Sequence, residues 1–173
     1  MQLIFSKKKF QVFHQYCPNL RNRMVTGISL YQKILINIMN DVKVERITAP
    51  NGSVFTGAGT NTYLVGENDI SIVDPGPNIK SHLDKIIKKV GKNASRILVT
   101  HTHRDHSPGA KYLAEKLNIP TFGKLVEVDD SHQDLSFKPD HVLNHGDLIS
   151  TDEYSLEAVY TCLLYTSDAA DEE

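Results

Sequence analysis

The chain has 173 residues, with 19 Lys plus Arg against 21 Asp plus Glu and a formal net charge of −2. That length suits one domain with a sizeable core, and two Cys rule out a disulfide framework. No apolar run approaches the roughly 20 residues a membrane span needs, and the balanced charge makes no global case for nucleic-acid binding.

Charge is unevenly spread. Met1 to Asn40 holds six basic residues and no acidic one; from Asp41 onward 21 acidic residues face 13 basic ones. Residues 1–40 therefore read as a basic leader, disordered or mis-started. Three readings stand: an organelle transit peptide, a disordered basic arm, or upstream sequence ahead of a start at Met24 or Met39. A secretory signal fits poorly, because Lys7-Lys8-Lys9 leads into no unbroken apolar stretch. The expected localisation is cytoplasmic, with organelle targeting as the alternative.

Past the leader, strand and helix patterns alternate. Val42 to Ile47 alternates apolar and polar residues as a half-buried strand does. Residues 52–59 are Gly-rich and loop-like, and Gly57-Ala58-Gly59 lacks the Lys-Ser/Thr of a phosphate loop. Tyr63-Leu64-Val65 and Ile70-Ser71-Ile72-Val73 flank a turn and predict a hairpin. Asp74-Pro75-Gly76-Pro77 stops the second strand. Asn78 or Ser81 is expected to cap a helix through Val90, with Leu83, Ile86, Ile87 and Val90 on one face and Gly91 at its end. The lysines 80, 85, 88, 89 and 92 read as its solvated face, with RNA contact as the alternative. Ile97-Leu98-Val99 reads as a buried strand. A helix is expected from Ser107 to Leu117, a short strand at Pro120 to Phe122, and irregular chain over Asp129 to Phe137. His141-Val142-Leu143 and Asp147-Leu148-Ile149 flank a turn, and Tyr154 to Tyr160 alternates as a strand. This order suggests a layered α/β domain.

The chemistry concentrates in His101-Thr102-His103-Arg104-Asp105-His106, which holds three of the eight His. It leaves the carboxyl end of a strand, where open α/β sheets place ligands. Imidazole with carboxylate suits Zn²⁺, and also Fe or Mn. In extended chain, residues two apart share a side, so His101 and His103 can chelate one ion. Asp105 and His106 are adjacent, and a turn lets them serve a neighbouring ion. The helix that follows, with Pro108 in its first turn, would favour an anion at its N-terminus. Such a cluster is costly to bury as mere packing. Ser107 beside His106 offers a serine-hydrolase reading, but no Gly-x-Ser-x-Gly elbow accompanies it. His132, His141 and His145 lie in polar stretches and read as surface residues.

The hexapeptide resembles the His-x-His-x-Asp-His signature of the metallo-β-lactamase superfamily. Gly59-Thr60-Asn61-Thr62-Tyr63-Leu64-Val65 with Ile72-Val73-Asp74-Pro75-Gly76 is similar to the opening hairpin of its lactamase-beta-like hydrolase branch. The resemblance runs from Val42 to Thr161. It implies the N-terminal half of a four-layer αβ/βα sandwich over residues 41–161. It further implies two metal ions, usually zinc, bridged by hydroxide. His101 and His103 would bind the first, and Asp105 and His106 the second. Asp105 would also take the catalytic role of orienting the hydroxide, and Asp74 would support the ligands from behind.

The resemblance breaks off at Thr161. Relatives continue Val159-Tyr160-Thr161 into Pro-Gly-His, where this chain has Cys162-Leu163-Leu164. Residues 162–173 resemble translated adapter sequence and are expected to be a non-native tail; the alternative is an acidic, frayed terminus. The implied function is a metal-dependent hydrolase acting on a thioester, ester, lactam or phosphodiester. A small molecule or RNA would be the substrate, with no membrane partner. The alternatives are a catalytically inactive fragment lacking the remaining ligands, or a metal-free binding module. Half a sandwich is expected to leave one apolar sheet face uncovered, and so to aggregate or self-associate.

Overall fold

The computed structural model describes residues 2–5, 10–11, 42–54, 56–125 and 132–159. Cys162, the tail over 162–173 and most of the leader lie outside the described residues.

The larger sheet starts with three antiparallel strands: β3 (Val44–Thr48), β4 (Asn61–Val65) and β5 (Ile70–Val73). It continues in parallel through β6 (Ala94–Leu98), β7 (Thr121–Gly123) and β8 (His141–Val142). Helix α1 (Lys80–Val90) crosses from β5 to β6, and helix α2 (Gly109–Leu117) from β6 to β7. The smaller sheet runs in the order β2 (Phe10–Gln11), β1 (Gln2–Phe5), β10 (Ser155–Val159) and β9 (Leu148–Ser150). Two of its strands thus come from the stretch read as a leader.

Strand alternation sorts the core into two parts. Leu64, Ile72, Ile97 and Val99 face one side and pack with Leu83, Ile86, Val90, Ala110 and Leu113 of the helices. Their neighbours Val65, Val73 and Leu98 face the other side and meet Tyr154, Leu156 and Ala158 of the smaller sheet. A sheet covered on both faces needs near-continuous apolar strands, and Ile70–Val73 is buried at every position. The described residues thus form a helix layer and two sheets of the expected sandwich. Its fourth layer has no counterpart among them.

Several expectations change in detail. α1 starts after Ile79, and no side-chain bond caps it, so neither Asn78 nor Ser81 serves as its cap. Its exit is as expected: Gly91 takes φ 56° and its amide returns to the Ile87 carbonyl at 3.0 Å. α2 starts at Gly109 rather than Ser107. A Cβ on Gly109 would lie 2.7 Å from Leu83 Cδ2, so glycine lets the two helices meet there. The Gly109 amide donates to the Gly76 carbonyl at 2.9 Å, and the Ala110 amide to Ser107 at 2.9 Å. Those two donors are spent inside the fold. The segments around the Asn144–Gly146 turn do not pair: β8 belongs to the larger sheet and β9 to the smaller. On β9 and β10, Ser150, Ser155 and Glu157 share the smaller sheet's outer face with Leu148 and Val159. Lys80 and Lys89 pair with Asp84 and Glu45 at 2.7 and 2.6 Å, and all five lysines named above are exposed. No helix among the described residues is long and apolar enough to cross a membrane.

Candidate metal centre

Two adjacent parallel strands place the site. β5 ends at Val73 and delivers Asp74; β6 ends at Leu98 and delivers Thr100 and His101 two and three residues later. Side chains at the carboxyl ends of neighbouring strands converge in this way throughout open α/β sheets.

Asp74 is 1% exposed and sits at φ 52°, a left-handed backbone that L-residues rarely adopt. Its Oδ1 accepts the Thr100 amide at 2.8 Å, and its Oδ2 accepts the Thr100 hydroxyl at 2.7 Å. Oδ2 also lies 3.1 Å from His106 Nδ1. The Thr100 hydroxyl has one proton, given to Asp74, so in its 3.0 Å contact with His101 the Nδ1 is the donor. In both rings Nδ1 therefore carries the proton toward the interior, and in the neutral form Nε2 bears the lone pair. Asp74, His101 and His106 form a tight group, one donor atom of each lying within 4.8 Å of the others. These three could hold a metal ion between them, and the Asp74 oxygens also meet the two donors of Thr100 and the Nδ1 of His106.

Asp105 is half-buried, and its Oδ2 lies 3.2 Å from His106 Nε2. Two bonds of 2.0–2.2 Å at a tetrahedral angle separate ligand atoms by about 3.3–3.5 Å, slightly more than this contact, so the pair needs to open only a little to share one ion. The Thr60 hydroxyl donates to the same Oδ2 at 2.8 Å and accepts from Asn51 Nδ2 at 3.0 Å. His103 is half-buried, and its ring meets that of His101 edge to face at 4.6 Å between centroids. The His101 and His106 rings lie 4.2 Å apart. Among the described residues the donor atoms that converge are those of Asp74, His101 and His106; Asp105 joins them at His106 and His103 at the ring of His101, and imidazoles with carboxylates are a donor set that fits a divalent metal.

Two carboxylates of the cluster flank one imidazolium. Burial works against the His106 imidazolium, but the charge of Asp74 and hydrogen bonds to Asp105 and Asp74 outweigh it and push its pKa up to about 9. Burial likewise opposes the Asp105 carboxylate, yet the bond to and charge of His106, with the Thr60 hydroxyl, hold its pKa well below the usual range. A proton held between these two donors is what a metal would displace.

A family model described as Metallo-beta-lactamase superfamily matches residues 55–166.

The chain belongs to the metallo-beta-lactamase superfamily.

The Beta-lactamase-like protein 2 homolog of Drosophila melanogaster is 32% identical over 129 residues, covering 68% of this chain and 44% of that relative. The Atrochrysone carboxyl ACP thioesterase of Aspergillus chevalieri is 39% identical over 71 residues, covering 39% of this chain and 23% of that relative. Among solved structures, BJP-1, a subclass B3 metallo-beta-lactamase of Bradyrhizobium japonicum, matches with TM-score 0.51 and 18% identity. That match covers 61% of this chain and 47% of the other, and it is a likeness of fold. The chain spans less than half the length of either curated relative. At the level of the superfamily the chemistry is metal-dependent hydrolysis.

Of the five residues singled out in the sequence, the structure groups the donor atoms of Asp74, His101 and His106, places Asp105 against His106, and leaves His103 in ring contact with His101. Thr60, Thr100 and Asn51, which hold them, were not legible, because ordinary polar residues acquire this role only through contacts across the fold. His132, His141 and His145 are exposed, and the His132 ring lies 6.4 Å from that of His103.

Proposed function

We propose that the chain carries the first half of the metal site of a zinc-dependent hydrolase whose substrate is a thioester. His101 and His103 would hold one ion, and Asp105 with His106 a second, with Fe or Mn as alternatives to zinc. The observation that carries this reading is the 3.2 Å separation of His106 Nε2 and Asp105 Oδ2, with Asp74 fixing the opposite nitrogen of the same ring. When bound, divalent ions supply Lewis acidity and lower the pKa of water toward neutrality. The chain's own residues do the positioning. Asp74 and Thr100 set the tautomers of His106 and His101. Asp105, ionised and braced by Thr60, orients the attacking water. The thioester assignment is supported by the name of the Aspergillus chevalieri relative; esters, lactams and phosphodiesters are the other substrates the site chemistry suits.

The experiment is to dialyse the purified chain against zinc and quantify bound metal. About two equivalents, the complement of a two-metal site, with hydrolysis of a generic thioester supports the reading. No retained metal, or the same amount in a His101→Ala, His103→Ala double variant, overturns it. A second reading has its own observation: the chain covers 44% of its Drosophila melanogaster relative, so it can be an inactive part of such a hydrolase. Retained metal without turnover favours that reading.

A further inference from the structure

The residues between β7 and β8 make contacts to the ligand loop that metal binding as proposed above does not use. His103 and Gln133 form an isolated antiparallel bridge. The Arg104 amide donates to the His132 carbonyl at 2.9 Å, and the Asp134 amide donates to the Thr102 carbonyl at 2.5 Å. These are rungs of a short ladder laid against the ligand loop itself. Side chains extend it. Thr102 is 0% exposed, and its hydroxyl donates at 2.5 Å to Oε1 of Gln133, itself 8% exposed. Arg104 Nε donates to the Gln133 carbonyl at 3.3 Å. The Ser107 hydroxyl donates to Asp134 Oδ2 at 2.8 Å, while Asp134 Oδ1 accepts the Ser136 amide at 3.0 Å. Phe137, buried in the helix-side core, anchors the far end.

The geometry has a consequence for the ligands. In extended chain, neighbouring side chains leave opposite faces. Thr102 is gripped by Gln133 while its two neighbours, His101 and His103, meet each other ring to ring. Asp74 holds His106 directly and His101 through the Thr100 hydroxyl; this segment holds the loop at His103.

We infer that residues 132–134 form a strap that positions the ligand loop, with Gln133 and Asp134 as positioning residues for His103 and His106. The metal-related part of this inference rests on the function proposed above.

The test uses the full chain with cobalt(II) as the probe. Gln133→Leu removes the acceptor facing the buried Thr102 hydroxyl. Gln133→Glu keeps an oxygen there. Leu135→Ser, at a residue 63% exposed, is the control. Gln133→Leu is expected to weaken cobalt binding roughly 10–100-fold, the range for groups that orient metal ligands, and to change the visible absorption of bound cobalt. Gln133→Glu restores both, and Leu135→Ser moves neither. In the metal-free chain, Gln133→Leu speeds amide exchange at Arg104 and Asp134 while Ile97 and Val99 stay protected. The strap is overturned by unchanged cobalt affinity and spectrum in Gln133→Leu, by failure of Gln133→Glu to restore them, or by exchange that rises equally at Ile97 and Val99. Should the unsubstituted chain bind no cobalt, the metal-binding reading falls instead, and exchange at Arg104 and Asp134 decides the strap.

Discussion

Asp74 shows how much one side chain can organise. It holds an uncommon backbone conformation, worth about 1–2 kcal/mol of strain, and in that pose its carboxylate meets two donors of Thr100 and one of His106. Asp74→Ala takes the more buried of two carboxylates from His106, leaving Asp105, and strands the Thr100 donors, and urea unfolding is expected to show a loss of about 3–5 kcal/mol. Asn tolerates the same backbone and keeps one acceptor, so Asp74→Asn is expected to lose less, about 1–3 kcal/mol. Equal losses in the two variants would contradict this account. The titrating groups set opposite pH trends in the metal-free chain. The raised pKa of His106 contributes stability that is complete below about 6.5 and is lost as pH rises through about 9. His82 behaves in the opposite sense: burial, opposed by the nearby Pro75 carbonyl, lowers its pKa, so its contribution is complete above about 6.5 and is lost as pH falls. Asp105, with its lowered pKa, adds stability that is lost only as pH falls below its usual range near about 3.9. Urea midpoints measured from pH 5 to 10 are expected to peak near about pH 6.5 and to decline on both sides. A midpoint still rising at pH 9 would count against the His106 assignment.

Among the elements, the loop between β3 and β4 matters most to the site. It brings Asn51 to Thr60 and Thr60 to Asp105. Gly59 makes the turn possible: at φ 131° a Cβ would stand 1.9 Å from the Ala49 carbonyl oxygen. Gly59→Ala is therefore expected to shift this loop and cost about 1–3 kcal/mol. It should also weaken metal binding more than a change at exposed Val54 does, as zinc titration would read. Comparable binding in the two variants would show that Thr60 does not set Asp105. The helices contribute differently. Neither α1 nor α2 has a side-chain cap, and both are held by the apolar stripes that face the sheet, Leu83, Ile86 and Val90 in one and Ala110 and Leu113 in the other.

The whole molecule is joined across its two sheets far from the ligand loop. The Tyr154 hydroxyl donates within a cluster of the Asp69 carbonyl at 2.7 Å and Ser71 Oγ at 2.8 Å, and Arg96 Nη1 donates to it at 3.0 Å. Tyr154→Phe strands these partners between the sheets and is expected to cost about 1–3 kcal/mol in urea unfolding. A neutral result would place the joint in the apolar packing of Val73, Leu98 and Leu156 alone. Metal should act on the molecule as a ligand of the folded state. Zinc at a hundredfold excess over its Kd adds about 2.7 kcal/mol, so calorimetry is expected to show a higher Tm that chelator reverses. A Tm indifferent to zinc would deny the centre.

The local pattern of residues determined a good deal here. Apolar alternation and helical spacing marked the β4–β5 hairpin, both helices and β10, because those signals depend on near neighbours along the chain. The six-residue cluster declared its chemistry because imidazoles and a carboxylate at that spacing have few other uses. Tertiary structure decided what no local signal encodes. Whether His141-Val142 and Leu148-Ile149 would pair or part depended on which sheet each could extend. The left-handed turn at Asp74 persists because its carboxylate finds Thr100 and His106 on another strand's loop. Thr60, Thr100 and Gln133 are unremarkable polar residues until folding removes water from around them and leaves a metal-binding loop as their partner.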